Sequence, residues 1–276
     1  MFTHRRAEPR QAFDYPMFNQ NILVFFAPFV KRFTIHIKKC IVINMNKFEA
    51  IKILSESKAS SNLNVCLLEC LKYENVELFD VGAGAVCFTL KNSGLCMLGG
   101  SAEGLIADNI PSSVKNYFTP DKRIAEIIKA KTGRGVTPCV QVIYKAADIK
   151  IPDGVTIKKL NADIKTAEFV AARYTLHYSP EEVLQVLKNR VMLGAYVNGE
   201  MAGFIGMHEE RSVGMLEVFV NFRRMGLGTL LINEMIKYFE ENGFKPFCHI
   251  IATNEKSLNL HKKMDCDMQK GFVYWL

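Results

Sequence analysis

A short turn with two glycines, Arg223-Arg-Met-Gly-Leu-Gly228, carries the clearest chemistry in this chain. It follows an apolar run typical of a strand, residues 215–220, and precedes an amphipathic run typical of a helix, residues 229–239. Glycine lets the backbone turn sharply and come close to a ligand. The unpaired N–H groups at a helix start, together with the positive end of the helix dipole, favour an anion. We therefore expect this turn to bind a pyrophosphate through its backbone.

Two common phosphate-binding motifs do not fit this turn. A dinucleotide fingerprint needs a glycine three residues after Gly228, where the chain has Leu231. A P-loop needs Gly-Lys-Ser/Thr, whereas Gly228 is followed by Thr229. The pattern Arg-x-x-Gly-x-Gly instead resembles the coenzyme A loop of the GCN5-related N-acetyltransferase (GNAT) superfamily.

The resemblance assigns the loop to the pyrophosphate of acetyl-CoA, the implied co-substrate. The expected pyrophosphate contacts are Arg223, Arg224, Met225, Gly226, Leu227, Gly228 and Thr229. Val218, Phe219 and Val220 are expected beside the pantetheine arm, where a main-chain N–H would bind the thioester carbonyl. Asn254 and Ser257 match the family's Asn-x-x-Ser-x-x-Leu helix start. They are read as capping residues that also touch the coenzyme.

The elements around the loop follow the order of the same family over residues 153–276. An Asn198-Gly199 turn joins two apolar runs and predicts a hairpin. Asp163, Ser179 and Asn254 are placed to begin helices. The predicted order is strand, helix, helix, three strands, helix, strand, helix, strand. We therefore predict an α/β (α+β) fold, with a GNAT-like mixed central sheet flanked by helices.

Residues 45–152 predict a second, preceding α/β unit, with a boundary at the turn Pro152-Asp-Gly154. Its order of helices and strands loosely resembles that of the second half. Two interpretations are open: a degenerate half of the GNAT fold, or an unrelated α/β cap. In both, this unit is expected to shape or cover the acceptor site.

Residues 1–44 form a basic extension with seven Lys or Arg and two acidic residues, whereas the remaining residues carry a net charge of only +2. We expect this segment to be poorly ordered, or to arise from a start codon placed too far upstream, since Met45 resembles an ordinary protein start. A targeting segment is the alternative. Its apolar run, residues 22–30, is too short to span a bilayer that requires roughly 20 residues. The charge distribution therefore predicts neither a nucleic-acid nor a membrane partner for the folded part.

Two positions depart from the family pattern. The family places a tyrosine, which protonates the departing thiolate, where this chain has His261. Asp265-Cys266 replaces the usual Gly-Phe. The family also ends in two strands, of which only one, residues 272–276, is evident, so another part of the chain is expected to complete the sheet.

An attacking amine must lose a proton, because a lysine-type amine has a pKa near 10.4. Glu217 lies in an apolar strand beside the expected thioester, and the alternative is a glutamate on the wet face of that strand. His208, next to Glu209 and Glu210, is a second candidate base, or else part of a solvated strand end. His261 could donate a proton, or lie on a helix surface. Cys248 and Cys266 are weaker candidates as nucleophiles, because on a strand Cys248 and His249 point to opposite faces.

The predicted function is acetyl transfer from acetyl-CoA to a primary amine of a small molecule or amino-acid-like acceptor in a ternary complex. A non-catalytic acyl-CoA-binding or regulatory protein is the alternative, and a nucleic-acid-binding module is third.

No metal is expected. Eight unpatterned cysteines favour a reducing, cytoplasmic setting. A homodimer is compatible with the sequence, which does not fix the oligomeric state. The expected acceptor wall consists of Tyr174, His177 and Tyr178.

Overall fold

A computed structural model describes residues 45–57, 62–91, 93–174 and 178–276. The expectations for residues 1–44 and for His177 lie outside this range. Residues Ile43–Leu276 form one compact unit. None of the helices in the described ranges is long and apolar enough to cross a membrane.

Within the described ranges, the first half of this unit contains three α-helices and five strands. They are α1 (Lys47–Glu56), α2 (Val65–Tyr73), β1 (Val76–Phe79), β2 (Ala85–Leu90), β3 (Leu95–Gly100), β4 (Asn116–Thr119), α3 (Lys122–Thr132) and β5 (Thr137–Tyr144). Asn46 and Glu49 form a capping box at α1, and Asp121 caps α3. The sequence did not predict β1 and β4, because four residues are too few to show a period.

Four α-helices and seven strands lie in the described part of the second half. They are β6 (Val155–Lys159), α4 (Ile164–Ala171), α5 (Pro180–Asn189), β7 (Met192–Val197), β8 (Glu200–Met207), β9 (Val213–Val218), α6 (Leu227–Glu241), β10 (Phe247–Ile251), α7 (Glu255–His261), β11 (Cys266–Met268) and β12 (Val273–Trp275). Asp163, Ser179 and Asn254 cap their helices as predicted. The predicted hairpin turn is confirmed, with φ of 49° at Asn198 and 86° at Gly199.

These strands form two sheets. The smaller has the order β6-β7-β8-β9 and is antiparallel throughout. The larger has the order β1-β2-β3-β4-β12-β5-β10, with β11 also pairing β5, and is mixed because β3 and β4 are parallel. The predicted mixed sheet flanked by helices is confirmed.

The larger sheet takes strands from both halves of the chain. β5 lies between β12 and β10, so a strand from before the predicted boundary completes the sheet of the second half. Only one closing strand was evident in the sequence, and the structure adds a second, β11. It has three residues between acidic and polar neighbours and therefore carries no apolar pattern.

Helices cover both sheets. α1 and α2 pack on one face of β2 and β3, while α3 packs on the other. α4 and α5 cover one face of the smaller sheet, and α6 and α7 lie on its opposite face. The cysteines of the described residues are free thiols, and all but Cys266 are buried. This agrees with the expectation that they pack rather than form a disulfide framework.

The functional consequence of this topology is a cleft. β9 is the last strand of the smaller sheet and β10 is the last strand of the larger one. The two strands contact each other but do not pair. Two free strand edges therefore face one cleft, and the loop singled out in the sequence follows β9 directly.

Candidate coenzyme and acceptor site

The edge of β9 offers a backbone donor to this cleft. The N–H of Phe219 donates to Ala202 O of β8 at 2.9 Å. Because successive N–H groups of a strand point to opposite edges, the N–H of Val218 points away from β8 and toward the cleft. Phe219 turns its ring toward Phe169 and Phe204 under α4, and Val220 begins a short 3-10 turn. Of the three residues predicted beside the pantetheine, the structure therefore places Val218 at the cleft edge.

A β-bulge bends β9 before it reaches the loop. Met215 and Leu216 of β9 lie opposite the single residue Ile205 of β8, and Met215 has a φ of 50°. A bulge of this kind increases the local twist and redirects the strand. Nothing in the sequence marked it, since Met at positive φ is unusual.

The glycine turn presents unpaired N–H groups. Arg224 and Gly226 have φ of 64° and 79°, and α6 begins at Leu227 with no side chain capping it. Leu230 is the first residue whose N–H bonds back along the helix, to Gly226 O at 3.1 Å. No described side chain takes the N–H groups of residues 227–229. This is the arrangement that binds an anion at a helix start.

Gly228 marks the point where three elements meet. A methyl group placed on Gly228 would lie 3.8 Å from Val218 Cγ2 and 4.0 Å from Leu260 Cδ2. β9, α6 and α7 therefore converge on this glycine. Asn254 Oδ1 accepts a hydrogen bond from the Ser257 N–H at 3.2 Å and so begins α7. The absence of a side chain at Gly228 leaves room for a ligand between the three elements.

Glu217 is not on a wet face, so that alternative was wrong. Its side chain is 12% exposed, and Oε1 lies 3.2 Å from Arg223 Nη2. Arg223 Nε also donates to Val218 O at 2.9 Å. Glu217 pairs in register with Phe204, whose side chain lies under α4 and α5. The first arginine of the loop thus ties the loop to both Glu217 and the cleft strand.

His261 is buried, so the alternative of a helix-surface histidine was also wrong. It is 4% exposed, and burial lowers its pKa. Its Nδ1 lies 2.7 Å from Ser257 O, which can only accept, so Nδ1 carries the proton. Nε2 lies 2.5 Å from the hydroxyl of Tyr144 on β5 and therefore accepts from it.

Cys248 joins the same buried group. Its Sγ lies 2.9 Å from the Tyr144 hydroxyl and 3.8 Å from His261 Nε2. The histidine near Cys248 is thus His261, and not its sequence neighbour. Burial raises the pKa of Cys248 to about 12, so the group is a thiol at neutral pH. A thiol of this kind is a poor nucleophile, which disfavours an acyl-cysteine intermediate.

A cavity of about 460 Å³ lies on the other face of β10. Strand alternation separates the two environments, because Cys248 and Ile250 pack with α6 and α7 while His249 and Ile251 line the cavity. Both halves of the chain contribute to its wall: Leu95, Lys115, Asn116, Thr137, Cys139, Tyr178, Glu182, His208, Glu209, Glu210, Ser212, His249, Ile251 and Trp275.

Two of the predicted residues line this cavity, His208 and Tyr178. The N–H of His208 donates to Ser212 O at 2.9 Å, and its ring lies over Gly214, where any side chain would collide with it. Burial raises the pKa of Tyr178 to about 12, so its hydroxyl stays protonated. Tyr174 does not line the cavity, since its ring packs between Tyr178 and Phe204.

The sequence interpretation missed His249, Glu209 and the first-half residues of the wall. Glu209 and Glu210 were visible only as neighbours of His208. Lys115 and Thr137 reach the cavity because β4 and β5 join the larger sheet, and that pairing leaves no mark in the sequence.

Residues 159–265 match the family model "Acetyltransferase (GNAT) family". The C-terminal part of the chain is a GNAT domain. The match supports acyl transfer in general as the activity of this domain. No curated protein sequence matches the chain.

Solved structures extend the likeness of fold beyond the GNAT domain. A Drosophila protein superposes with a TM-score of 0.61 at 15% identity, over 83% of this chain and 94% of that one. A GCN5-related N-acetyltransferase from Kribbella flavida superposes with a TM-score of 0.52 at 12% identity, over 82% and 94%. Coverage of this extent includes the first half of the compact unit, so the predicted fold with a preceding second unit is confirmed.

Proposed function

We propose that this protein transfers an acetyl group from acetyl-CoA to a primary amine by direct attack in a ternary complex. One observation carries the proposal. The unpaired N–H groups of the glycine turn lie at one end of the cleft between β9 and β10, and the 460 Å³ cavity opens on the far face of β10. Donor and acceptor would then approach the same strand edges from opposite faces.

The donor would be held by backbone groups. The N–H groups of residues 227–229 would bind the pyrophosphate, and the side chains of Arg223 and Arg224 add positive charge to the loop. The N–H of Val218 would bind the thioester carbonyl, and then the oxyanion that forms during attack. A preorganised donor of this type contributes about 2.7–4 kcal/mol to lowering the barrier.

The cavity favours His208 and Glu209 as the groups that take the proton from the amine. Both line the acceptor cavity, whereas Glu217 does not line it and is paired with Arg223. Burial raises the pKa of Glu209, which brings this carboxylate nearer to the range of a useful base. We assign the proton transfer to His208 or Glu209, acting directly or through one water.

We assign His261 a positioning role and no role in proton transfer. In its hydrogen-bonded state Nε2 accepts from Tyr144, so it offers no proton to a thiolate. The thiolate would take its proton from water, since the proton of the attacking amine goes to His208 or Glu209. The replacement of the family's tyrosine proton donor by His261 favours a second candidate function, a non-catalytic acyl-CoA-binding protein.

Turnover discriminates between the two functions. The full chain is incubated with acetyl-CoA and a panel of primary amines, with the released thiol measured by colorimetry and the acetylated amine by mass spectrometry. Stoichiometric thiol and amide with at least one amine would support the transferase. Coenzyme binding by calorimetry without any amide would support the binding protein.

A further inference from the structure

The acceptor cavity has an uneven charge. Three carboxylates line it, from Glu182, Glu209 and Glu210, against one ammonium group, that of Lys115. Lys115 Nζ lies 3.4 Å from Glu182 Oε1, so its charge is already paired. Lys115 and Arg190 act on Glu209 only from a distance, and neither Glu209 nor Glu210 forms an ion pair within 4 Å with a described residue.

Two arginines beside this part of the wall form ion pairs with a different glutamate. Arg190 and Arg211 both bind the carboxylate of Glu74, at 2.9 and 2.7 Å. Arg190 reaches only the backbone oxygen of Glu209, at 3.2 Å. The Glu210 carboxylate accepts from the Ser212 hydroxyl at 2.5 Å. The wall therefore carries negative charge that a cationic ligand would balance.

A second feature of the wall favours a ligand that donates a hydrogen bond. Gln141 Nε2 donates to Asn62 O, which turns Gln141 Oε1 toward His249 Nε2 at 3.1 Å. An amide oxygen only accepts, so His249 carries its proton on Nε2 and leaves Nδ1 as a lone acceptor. Nδ1 is buried and has no hydrogen-bond partner within the described ranges.

Protonation does not relieve this unpaired nitrogen. Burial lowers the pKa of His249 to about 3, so the ring is neutral near pH 7. A buried acceptor without a partner costs about 1–3 kcal/mol. An N–H donor from a ligand in the cavity would satisfy it, whereas a carboxylate would repel its lone pair.

We propose that the acceptor is a diamine-type molecule, with one amine directed to His249 Nδ1 and a second, protonated amine directed to Glu209, which leaves His208 as the group that takes the proton from the attacking amine. Tyr178 and Trp275 supply an aromatic wall for the carbon chain between the two groups. The inference rests on the proposed function and narrows it, because it disfavours an acceptor that carries a free carboxylate, such as an amino acid.

Three probes of equal chain length test this proposal. 1,4-Diaminobutane, butylamine and 4-aminobutanoate share one amine and differ in the far group, which is cationic, neutral or anionic. Each is titrated calorimetrically into the full chain without coenzyme, so that the readout does not depend on acetyl transfer. We expect the diamine to bind at least tenfold more tightly than butylamine, and 4-aminobutanoate to bind most weakly.

Two variants separate the two contacts. Glu209→Gln should remove most of the diamine's advantage and leave butylamine unchanged, whereas Glu200→Gln, an exposed glutamate at the start of β8, should change nothing. His249→Phe keeps an aromatic ring against Phe118 and should weaken all three probes by a similar factor. Thermal unfolding verifies that each variant folds.

Equal or tighter binding of 4-aminobutanoate would overturn the proposal, as would loss of all three probes in Glu209→Gln or no binding of the diamine to the wild type. Failure of the proposed function has a different signature. In that case the diamine preference would persist, and no acetylated amine would form with acetyl-CoA.

Discussion

The hydroxyl of Tyr144 lies 2.5 Å from Nε2 of His261, a contact between residues 117 positions apart in the chain. Tyr144 ends β5 in the first half, and His261 ends α7 in the GNAT domain. The position where the family carries a tyrosine is thus occupied by a histidine, which accepts a hydrogen bond from a tyrosine at the end of β5. This contact joins the two halves of the chain on the face of β10 that packs against α6 and α7.

Removing that hydroxyl should destabilise the fold. Tyr144→Phe leaves Nε2 of His261 buried without its donor, so we expect a loss of about 1–3 kcal/mol in the free energy of unfolding. Tyr274→Phe is the matched control, because the Tyr274 hydroxyl has no hydrogen bond to any described residue. Urea denaturation measures both, and equal stability of the two variants would count against a structural role for the contact.

The glycine turn should show a backbone requirement at Gly226. Its φ of 79° is left-handed, so Gly226→Ala should cost about 1–2 kcal/mol. Gly133, at φ 71° after α3, has open space around it and should cost a similar amount when changed to alanine. Thermal unfolding compares the two. Only Gly226→Ala should also weaken acetyl-CoA binding, and an equal effect of Gly133→Ala on binding would contradict the location of the site.

Acidification should destabilise the protein through His249. Its folded pKa of about 3 lies below the ordinary 6.5, so between these values the unfolded chain binds a proton that the folded chain does not. The free energy of unfolding should therefore fall by up to about 1.4 kcal/mol per pH unit as pH drops below 6.5. The lowered pKa of His261 acts in the same direction.

His249→Gln isolates this contribution, because the amide keeps a donor for Gln141 but does not titrate. As pH falls from 7 to 4.5, the free energy of unfolding of the wild type should decrease relative to that of the variant. Urea denaturation at each pH measures both. A constant difference would show that His249 is not a buried neutral histidine.

The base should be found in the acceptor cavity. We expect His208→Asn or Glu209→Gln to lower kcat/KM for acetyl transfer by about 10²–10⁴-fold, the usual contribution of a general base. Glu217→Gln removes only the ion pair with Arg223 and should lower it less than tenfold. Steady-state kinetics ranks the three variants. A larger loss of kcat/KM in Glu217→Gln than in either cavity variant would show that Glu217, on β9, is the base.

Features that depend on a few neighbouring residues could be predicted from the sequence. The Asn198-Gly199 turn, the helix caps at Asp163 and Ser179, and the glycine turn before α6 each carry a signal within a few residues, and the structure has them where predicted. The proposed function rests on this turn, because its glycines, helix start and preceding strand are contiguous in the sequence.

Long-range pairing was the part that could not be predicted. β12 inserts between β4 and β5, and β10 pairs with β5, across sequence separations of more than a hundred residues. The wall position of Lys115, the contact of Tyr144 with His261 and the orientation of His249 all follow from those pairings. A one-residue bulge at Met215 likewise depends on the partner strand and not on the local sequence.

A charge introduced at Gly228 shows whether the glycine turn binds the pyrophosphate of acetyl-CoA. Gly228→Asp places a carboxylate in the first turn of α6, where its Cβ would make only ordinary van der Waals contacts, with Val218 and Leu260. The helix dipole favours the carboxylate, which in turn repels a bound anion. Gly228→Asn is the neutral control of equal size. Acetyl-CoA is titrated calorimetrically into the wild type and both variants. We expect micromolar binding by the wild type, a modest loss of affinity with Asn, and at least a further tenfold loss with Asp, whose stability should be no lower than that of the Asn variant. Equal affinity of the Asp and Asn variants, or no binding by the folded wild type, would contradict this expectation.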